Sequence, residues 1–278
     1  MAESARGSVA FLEAVGLVAP GMPNWEQGRE MLAARLPVPE PLSFAAPQPQ
    51  LLPHNERRRA PLSVLMALQA AEDAMARTAV AVAATPAVFA SSDAEMAIIH
   101  RISSALAEPS RSVSPTDFHN SVHNAASGYW GIAARATRPV TTLSAFDGSF
   151  AAGLRESFAL LADGEPAVLL VLYDVPPPVP LYEKRPIETA CGIAMMLTAD
   201  APGTGAATEP APGGVARLEL LAAIEESVLD EPVLEKLRRG NPAARALPVL
   251  AVVARGGERL VGVRTENGSL LGVRVSCL

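Results

Sequence analysis

Two almost uninterrupted apolar runs, Ala167–Tyr173 and Ala190–Thr198, frame the reading of this chain. A strand with water on one face alternates apolar and polar residues, so runs without alternation predict central strands of a sheet covered on both faces. Val9–Val18 reads as a strand entering the Pro20-Gly21 turn, and Ala87–Ser92 as a buried strand. Thr141–Ser144 and Arg217–Ala223 read as two more, and a last strand pair turns near Gly268. Helical spacing alternates with these. Trp25–Leu36 is a short amphipathic helix, and Leu62, Leu65, Met66, Leu68 and Ala70 mark the apolar face of a helix within Pro61–Arg77. Asp93 is placed to cap a helix through Leu106, and Ser114-Pro115-Thr116 starts one that runs to Tyr129. Gly148–Ala162 ends before Gly164, and Val233–Arg239 forms a short helix. The prolines of Pro37–Pro53 fix φ and remove donors, which predicts an extended surface crossing, and Pro202–Gly214 reads as a mobile loop. Alternating strands and helices give a layered α/β fold.

With 278 residues and 49% hydrophobic content, the chain can bury a substantial core. Its net charge of −6 gives no electrostatic footprint for nucleic acid, and Arg57-Arg58-Arg59 is too short a basic run to change that. Cys191 and Cys277 have no nearby thiol, which argues against a disulfide scaffold or a sulfur-rich metal site. Glu13 interrupts the first apolar stretch, and Thr85-Pro86 breaks the longest, Ala79–Ala90, well short of the ~20 residues a bilayer requires. The expectation is a cytoplasmic protein with no membrane span.

Most chemical motifs fail on inspection. His119 and His123 have the i, i+4 spacing of two metal ligands on one helical face. Asn-Ser-Val separates them, with no glutamate to act as base and no third ligand, so the expectation is no metal and a structural role. Gly203-Thr204-Gly205 only faintly resembles a dinucleotide fingerprint, since Glu209-Pro210 follows where a helix should begin. No cofactor is expected. There is no G-x-S-x-G elbow. Ser149 has no evident base, although an acyltransferase or hydrolase working through Ser149 and Asp147 remains the alternative enzymatic reading.

The block Ser114-Pro115-Thr116-Asp117-Phe118-His119-Asn120-Ser121-Val122-His123-Asn124 is the most specific in the chain. With Leu52–Pro61 and Gly16–Gly21, it resembles the β-ketoacyl synthase-like chain length factors of aryl polyene and xanthomonadin-type pathways. The resemblance covers most of residues 8–200. It implies a thiolase-like layered fold, mainly the N-terminal half of a β-ketoacyl synthase, with 201–278 as a shortened C-terminal part packed on the same domain. In an active synthase of this kind, a cysteine at the turn after the interface helix and its strand attacks the acyl thioester. Laid on Arg138–Ser149, that pattern puts Asp147, or a residue beside it, where the cysteine belongs. A carboxylate is a poor thioester nucleophile. Active synthases also carry two C-terminal histidines, whereas His54, His100, His119 and His123 all precede Asp147.

The resemblance therefore implies a non-catalytic subunit that forms a heterodimer with an active β-ketoacyl synthase and meets an acyl carrier protein through that complex. The helix around Asp117, Phe118, His119, Ser121 and Val122 would face the partner's acyl tunnel, with Phe118 as a stop. The helix and the strand near Thr142 would supply the interface. An interaction module without effect on any acyl product is the remaining reading.

Overall fold

The computed structural model of this chain describes residues 9–201 and 216–278. The whole of the expected Pro202–Gly214 loop, Gly203–Thr208 included, lies outside the described residues.

The first strand, β1 (Val9–Val18), turns at Gly21 into α1 (Trp25–Leu32), where the Asn24 side chain accepts the Gln27 N–H as an N-cap. The proline-rich stretch carries no regular structure until the single turn α2 (His54–Arg57), after which α3 (Leu62–Met75) begins. Then follow β2 (Ala87–Ala90), α4 (Met96–Ala107), α5 (Pro115–Asn120) and α6 (Ala125–Ala133). The centre of the fold is β3 (Val140–Leu143), α7 (Ser149–Ala162), β4 (Ala167–Asp174) and β5 (Cys191–Thr198). The chain closes with β6 (Ala216–Ala222), α8 (Pro232–Gly240), α9 (Leu247–Arg255), β7 (Glu258–Arg264) and β8 (Leu270–Cys277).

The eight strands of the described residues join one sheet in the order β3-β2-β4-β5-β1-β6-β8-β7. β2 pairs in parallel with β3 and β4, and the other pairings are antiparallel. The continuous runs behave as the sequence pattern requires. Along β4, Val168, Leu170 and Leu172 enter the core that holds α7 and α9, while Leu169, Val171 and Tyr173 enter the core that holds α3 and α6. Burying each of these aliphatic side chains is worth about 1.5–3 kcal/mol, and both faces of β4 and β5 contribute. The result is a three-layer α/β/α stack, with residues 216–278 adding three strands beyond β1.

Helix α3 lies unusually close to the sheet because two glycines face it. A β-carbon on Gly16 would stand 1.9 Å from the Ala70 carbonyl oxygen, and one on Gly192 2.6 Å from that of Met66. Asp73 of α3 then accepts the backbone N–H groups of Leu17, at 3.0 Å, and Trp25, at 2.7 Å, fixing the β1-to-α1 connection against the helix.

Three local expectations are corrected. Asp93 does not cap α4, whose N-cap position is Glu95 with no side-chain cap; the Asp93 carboxylate binds Arg185 instead. The helix expected over Pro115–Tyr129 is two, α5 and α6, broken at Ser121–Asn124. His119 and His123 consequently do not share a helical face. The helix α9 has no counterpart in the sequence reading.

Candidate functional site

The carboxyl ends of parallel β2, β3 and β4 point to one edge of the stack, the place where open α/β sheets present loops for chemistry. The turn between β3 and α7 is sharp. Phe146 takes φ = 49°, a left-handed conformation that costs a non-glycine residue roughly 1–3 kcal/mol and needs support from its surroundings. That support is local and tertiary. Ser149 Oγ accepts from Ala145 N at 3.0 Å and donates to the Phe146 carbonyl at 2.8 Å, closing the turn. Gly148 lets the β7–β8 turn press against it, since a β-carbon there would sit 2.2 Å from Glu266 N.

Four segments bring charge to this turn. Asp147 is gripped by two arginines, with Arg185 Nη2 at 2.6 Å and Arg245 Nη2 at 3.2 Å. Arg185 also donates to Asp93 at 2.8 Å and lies over the Phe146 ring, 3.9 Å from its centroid. Burial by itself would lower the Arg185 guanidinium, but the bonds from Asp147 and Asp93 outweigh it and hold the group above its ordinary pKa. Arg245 is lowered, because burial there exceeds the pull of Asp147 and Glu226. Asp147 is therefore the centre of an ion-pair cluster, and Ser149 is a buried turn residue whose hydroxyl is already engaged. Neither is placed as a free nucleophile. Cys191 is buried inside β5, where burial and the Asp174 charge push its thiol far up, and Cys277 ends β8.

Beneath the cluster lies Asp174, 1% exposed at the end of β4. One of its oxygens accepts from Ser91 Oγ at 2.9 Å, Ser92 N at 2.8 Å and Ser92 Oγ at 2.9 Å. The other has no partner among the described residues. Burial raises this carboxyl to about 7 against the pull of the serine bonds.

The second part of the site is the outward face of α5 and α6 beside β3, an edge strand of the sheet. The Ser114 side chain caps α5, and Pro115 occupies its first turn, as the sequence indicated. Asp117 is spent on Arg101 of α4, at 2.6 Å, and Ser121 Oγ on the Phe118 carbonyl, at 2.8 Å. His119 packs edge-on against Tyr129, with ring centroids 6.3 Å apart, and His123 Nε2 meets Ser144 Oγ at 2.7 Å. Ser144 Oγ in turn lies 2.5 Å from the Ser91 carbonyl, so its proton goes there and His123 acts as the donor. The junction of α5 and α6 is thereby fastened to the end of β3. Ser127 Oγ adds a bond to Thr142 Oγ1 at 2.8 Å, and Trp130 is fully buried against Phe89.

Several apolar side chains remain outward, among exposed polar ones such as His119 and Asn124. Phe118 is 70% exposed, Val122 50% and Ile132 84%, and β-carbons on Gly128 and Gly131 would meet nothing. A groove of about 480 Å³ runs between α6 and the Leu52-Pro53 segment, with His119, Val122, Tyr129 and Ile132 in its walls. Of the residues singled out from sequence, His119 and Val122 line this groove, Phe118 projects beside it, and Asp117 and Ser121 hold α5 in place. The arginines of the turn were missed. Nothing in the local sequence around Arg185 or Arg245 connects either to Asp147.

Among the described residues no group of three His, Cys, Asp or Glu side chains could hold a metal ion, and no helix is long and apolar enough to cross a membrane.

A search of the curated proteins finds no match. Among solved structures, the complex of the ketosynthase ApeO with its chain length factor ApeC from Xenorhabdus doucetiae matches with a TM-score of 0.68 at 22% identity, over 97% of this chain and 99% of that one. The ishigamide ketosynthase/chain length factor matches with a TM-score of 0.72 at 13% identity, over 98% and 99%. A β-ketoacyl synthase from Burkholderia phymatum matches with a TM-score of 0.64 at 11% identity, over 98% and 99%. At these identities the likeness establishes the thiolase-like fold. The sequence model of the β-ketoacyl synthase N-terminal domain matches residues 25–225, so the chain belongs to that family.

Proposed function

We propose that this protein is a non-catalytic chain length factor: it pairs with an active β-ketoacyl synthase and helps shape that partner's acyl tunnel in polyene, polyketide or fatty-acid-like biosynthesis. One observation carries the reading. At the turn where the family's nucleophile is expected, the chain offers the apolar Phe146 and an Asp147 held between two arginines, with no thiol or unengaged hydroxyl. Acyl transfer needs an activated nucleophile there, and an ion-paired carboxylate does not supply one. Residues 8–200 are the synthase-like part in this reading and 201–278 its C-terminal extension, of which 216–278 supply strands to the same sheet. The carrier protein reaches this subunit through the complex.

The α5–α6 face is the proposed contact with the synthase. Exposed apolar side chains around a groove mark an interaction surface, and the unpaired edge of β3 lies beside them. Phe118 would enter the partner's tunnel, because a ring 70% exposed in this subunit is free to fill a cavity in another. Val122→Asp tests the placement. Val122 is half exposed, so the variant should fold normally, while a charge buried without a partner in the interface should abolish co-purification with a co-expressed synthase. Undiminished co-purification would put the interface elsewhere.

A further inference from the structure

The hairpin of β7 and β8 turns through Thr265–Ser269 and presses on the β3–α7 turn. A β-carbon on Gly148 would stand 2.2 Å from Glu266 N and 2.7 Å from the Thr265 carbonyl carbon. The tip of the hairpin is Asn267-Gly268, the one place in the chain where glycine follows asparagine. Trp25, Glu56, Ser121, Ala125 and Pro242 follow the other asparagines. Glycine has no β-carbon, so nothing on Gly268 shields its backbone nitrogen from the Asn267 side chain.

The fold adds donors to the amide. Asn267 Oδ1 accepts the Ser269 N–H at 3.0 Å and the Ser269 hydroxyl at 2.7 Å, and Thr265 Oγ1 stands 2.6 Å from it. Donors aimed at a carbonyl oxygen stabilise the negative charge that develops there when a nucleophile adds to its carbon. Residues 266–269 are exposed, so water reaches the amide. The Gly268 N–H donates to the Thr265 carbonyl at 3.1 Å, a bond that must open before its nitrogen can attack. At an exposed turn tip such a bond opens locally at small cost.

We propose that Asn267 is a self-modifying site at which the folded chain forms isoaspartate. The Gly268 nitrogen, giving its proton to water, bonds to Asn267 Cγ; the Cγ–Nδ2 bond breaks, and Nδ2 takes up a proton and leaves as ammonia. Water then opens the cyclic imide. Cleavage between Cγ and the Gly268 nitrogen gives aspartate, and cleavage between the Asn267 carbonyl carbon and that nitrogen gives isoaspartate. Nothing is oxidised or reduced, and water is the only co-reactant. Either product sets a carboxylate beside Glu266, and isoaspartate lengthens the main chain of the turn by one atom. The close seat of Glu266 on Gly148 has no room for that change, so the conversion loosens the turn that carries Asp147. The site is independent of the pairing with a synthase.

The test incubates the full chain at neutral pH, folded and in urea, and follows each asparagine by peptide mass mapping and isoaspartate-specific enzymatic methylation. In the folded chain Asn267 should convert before any other asparagine, with isoaspartate among its products. Ser269→Ala removes one donor to Oδ1 and should slow conversion of the folded chain about fivefold, the scale of one hydrogen bond, while leaving the rate in urea unchanged. Asn267→Gln, whose longer side chain closes the ring far more slowly, should give no methyl acceptor at the turn. Hydrogen exchange over Phe146–Ser149 should rise in the converted fraction. If another asparagine of the folded chain converts first, if Asn267 converts only in urea, or if Ser269→Ala changes both rates alike or neither, the assignment is wrong. Unchanged exchange over Phe146–Ser149 would overturn the link to the Asp147 turn.

Discussion

Replacing Asp174 by Asn should remove one buried carboxyl's share of the pH dependence of stability. In the folded chain the Asp174 carboxyl is raised to about 7 from an ordinary 3.8, chiefly by burial. An acid raised in this way contributes stability that is fully present below pH 3.8 and is lost as pH climbs through about 7, because the unfolded chain releases a proton that the folded chain retains. At ~1.36 kcal/mol per unit, the loss amounts to roughly 4 kcal/mol once both forms are ionised. Asparagine keeps one oxygen for the donors from Ser91 and Ser92 and carries no charge. Its amide nitrogen faces the side where Asp174 has no partner, at a cost of about 1–3 kcal/mol. The variant should therefore be less stable than the parent near pH 4 and more stable, by roughly 1–3 kcal/mol, near pH 8.5. Urea unfolding of both proteins across that range isolates the effect, since all other titrating groups cancel in the difference. A difference independent of pH would show that Asp174 ionises in the fold as it does in water, and would refute the argument from burial.

Phe118→Ala should leave the isolated chain within about 0.5 kcal/mol of the parent, as an exposed side chain does, while the complex with a synthase releases longer products at near-normal condensation rates. Each methylene accommodated in the vacated space gains ~0.8 kcal/mol, so product analysis should detect the shift; an unchanged distribution from an intact complex would remove Phe118 from the tunnel. Gly16→Ala forces a β-carbon into the Ala70 carbonyl and should cost roughly 3 kcal/mol in chemical denaturation, because α3 and β1 are both held in the core. Asp147→Ala should destabilise the fold by about 1–3 kcal/mol, leaving Arg245 without its nearest carboxylate, and neither parent nor variant should condense acyl and malonyl thioesters; turnover by the parent that the substitution abolishes would overturn the non-catalytic reading.

The layered fold was legible in the sequence wherever the apolar pattern had a period or a length that only one element satisfies. The runs that became β4 and β5 have the length and the lack of alternation of strands covered on both faces, and Ser114-Pro115 announced the start of α5 through capping chemistry that acts within one turn. Helix α9 escaped because Leu247–Ala254 is buried on every side, which leaves no polar face to reveal a helical period. The break between α5 and α6 carries no proline or glycine. It is held by His123 bonding to Ser144 across to the end of β3, a contact that exists only once the layers assemble.

The same division governs the site. The sequence by itself determined that no cysteine stands near Asp147 and that the Ser114–Asn124 block resembles one family, because residue identity and local spacing are one-dimensional facts. Only the tertiary structure decided what Asp147 does. Asp93, Arg185 and Arg245 come from separate segments and meet at the turn because the sheet order places the ends of β2, β3 and β4 together and the helical turn Ala243–Ala246 before α9 packs against α7 and β4. Charges far apart along the chain interact only when folding brings them within a few ångströms and removes the water between them, and no local pattern encodes that approach.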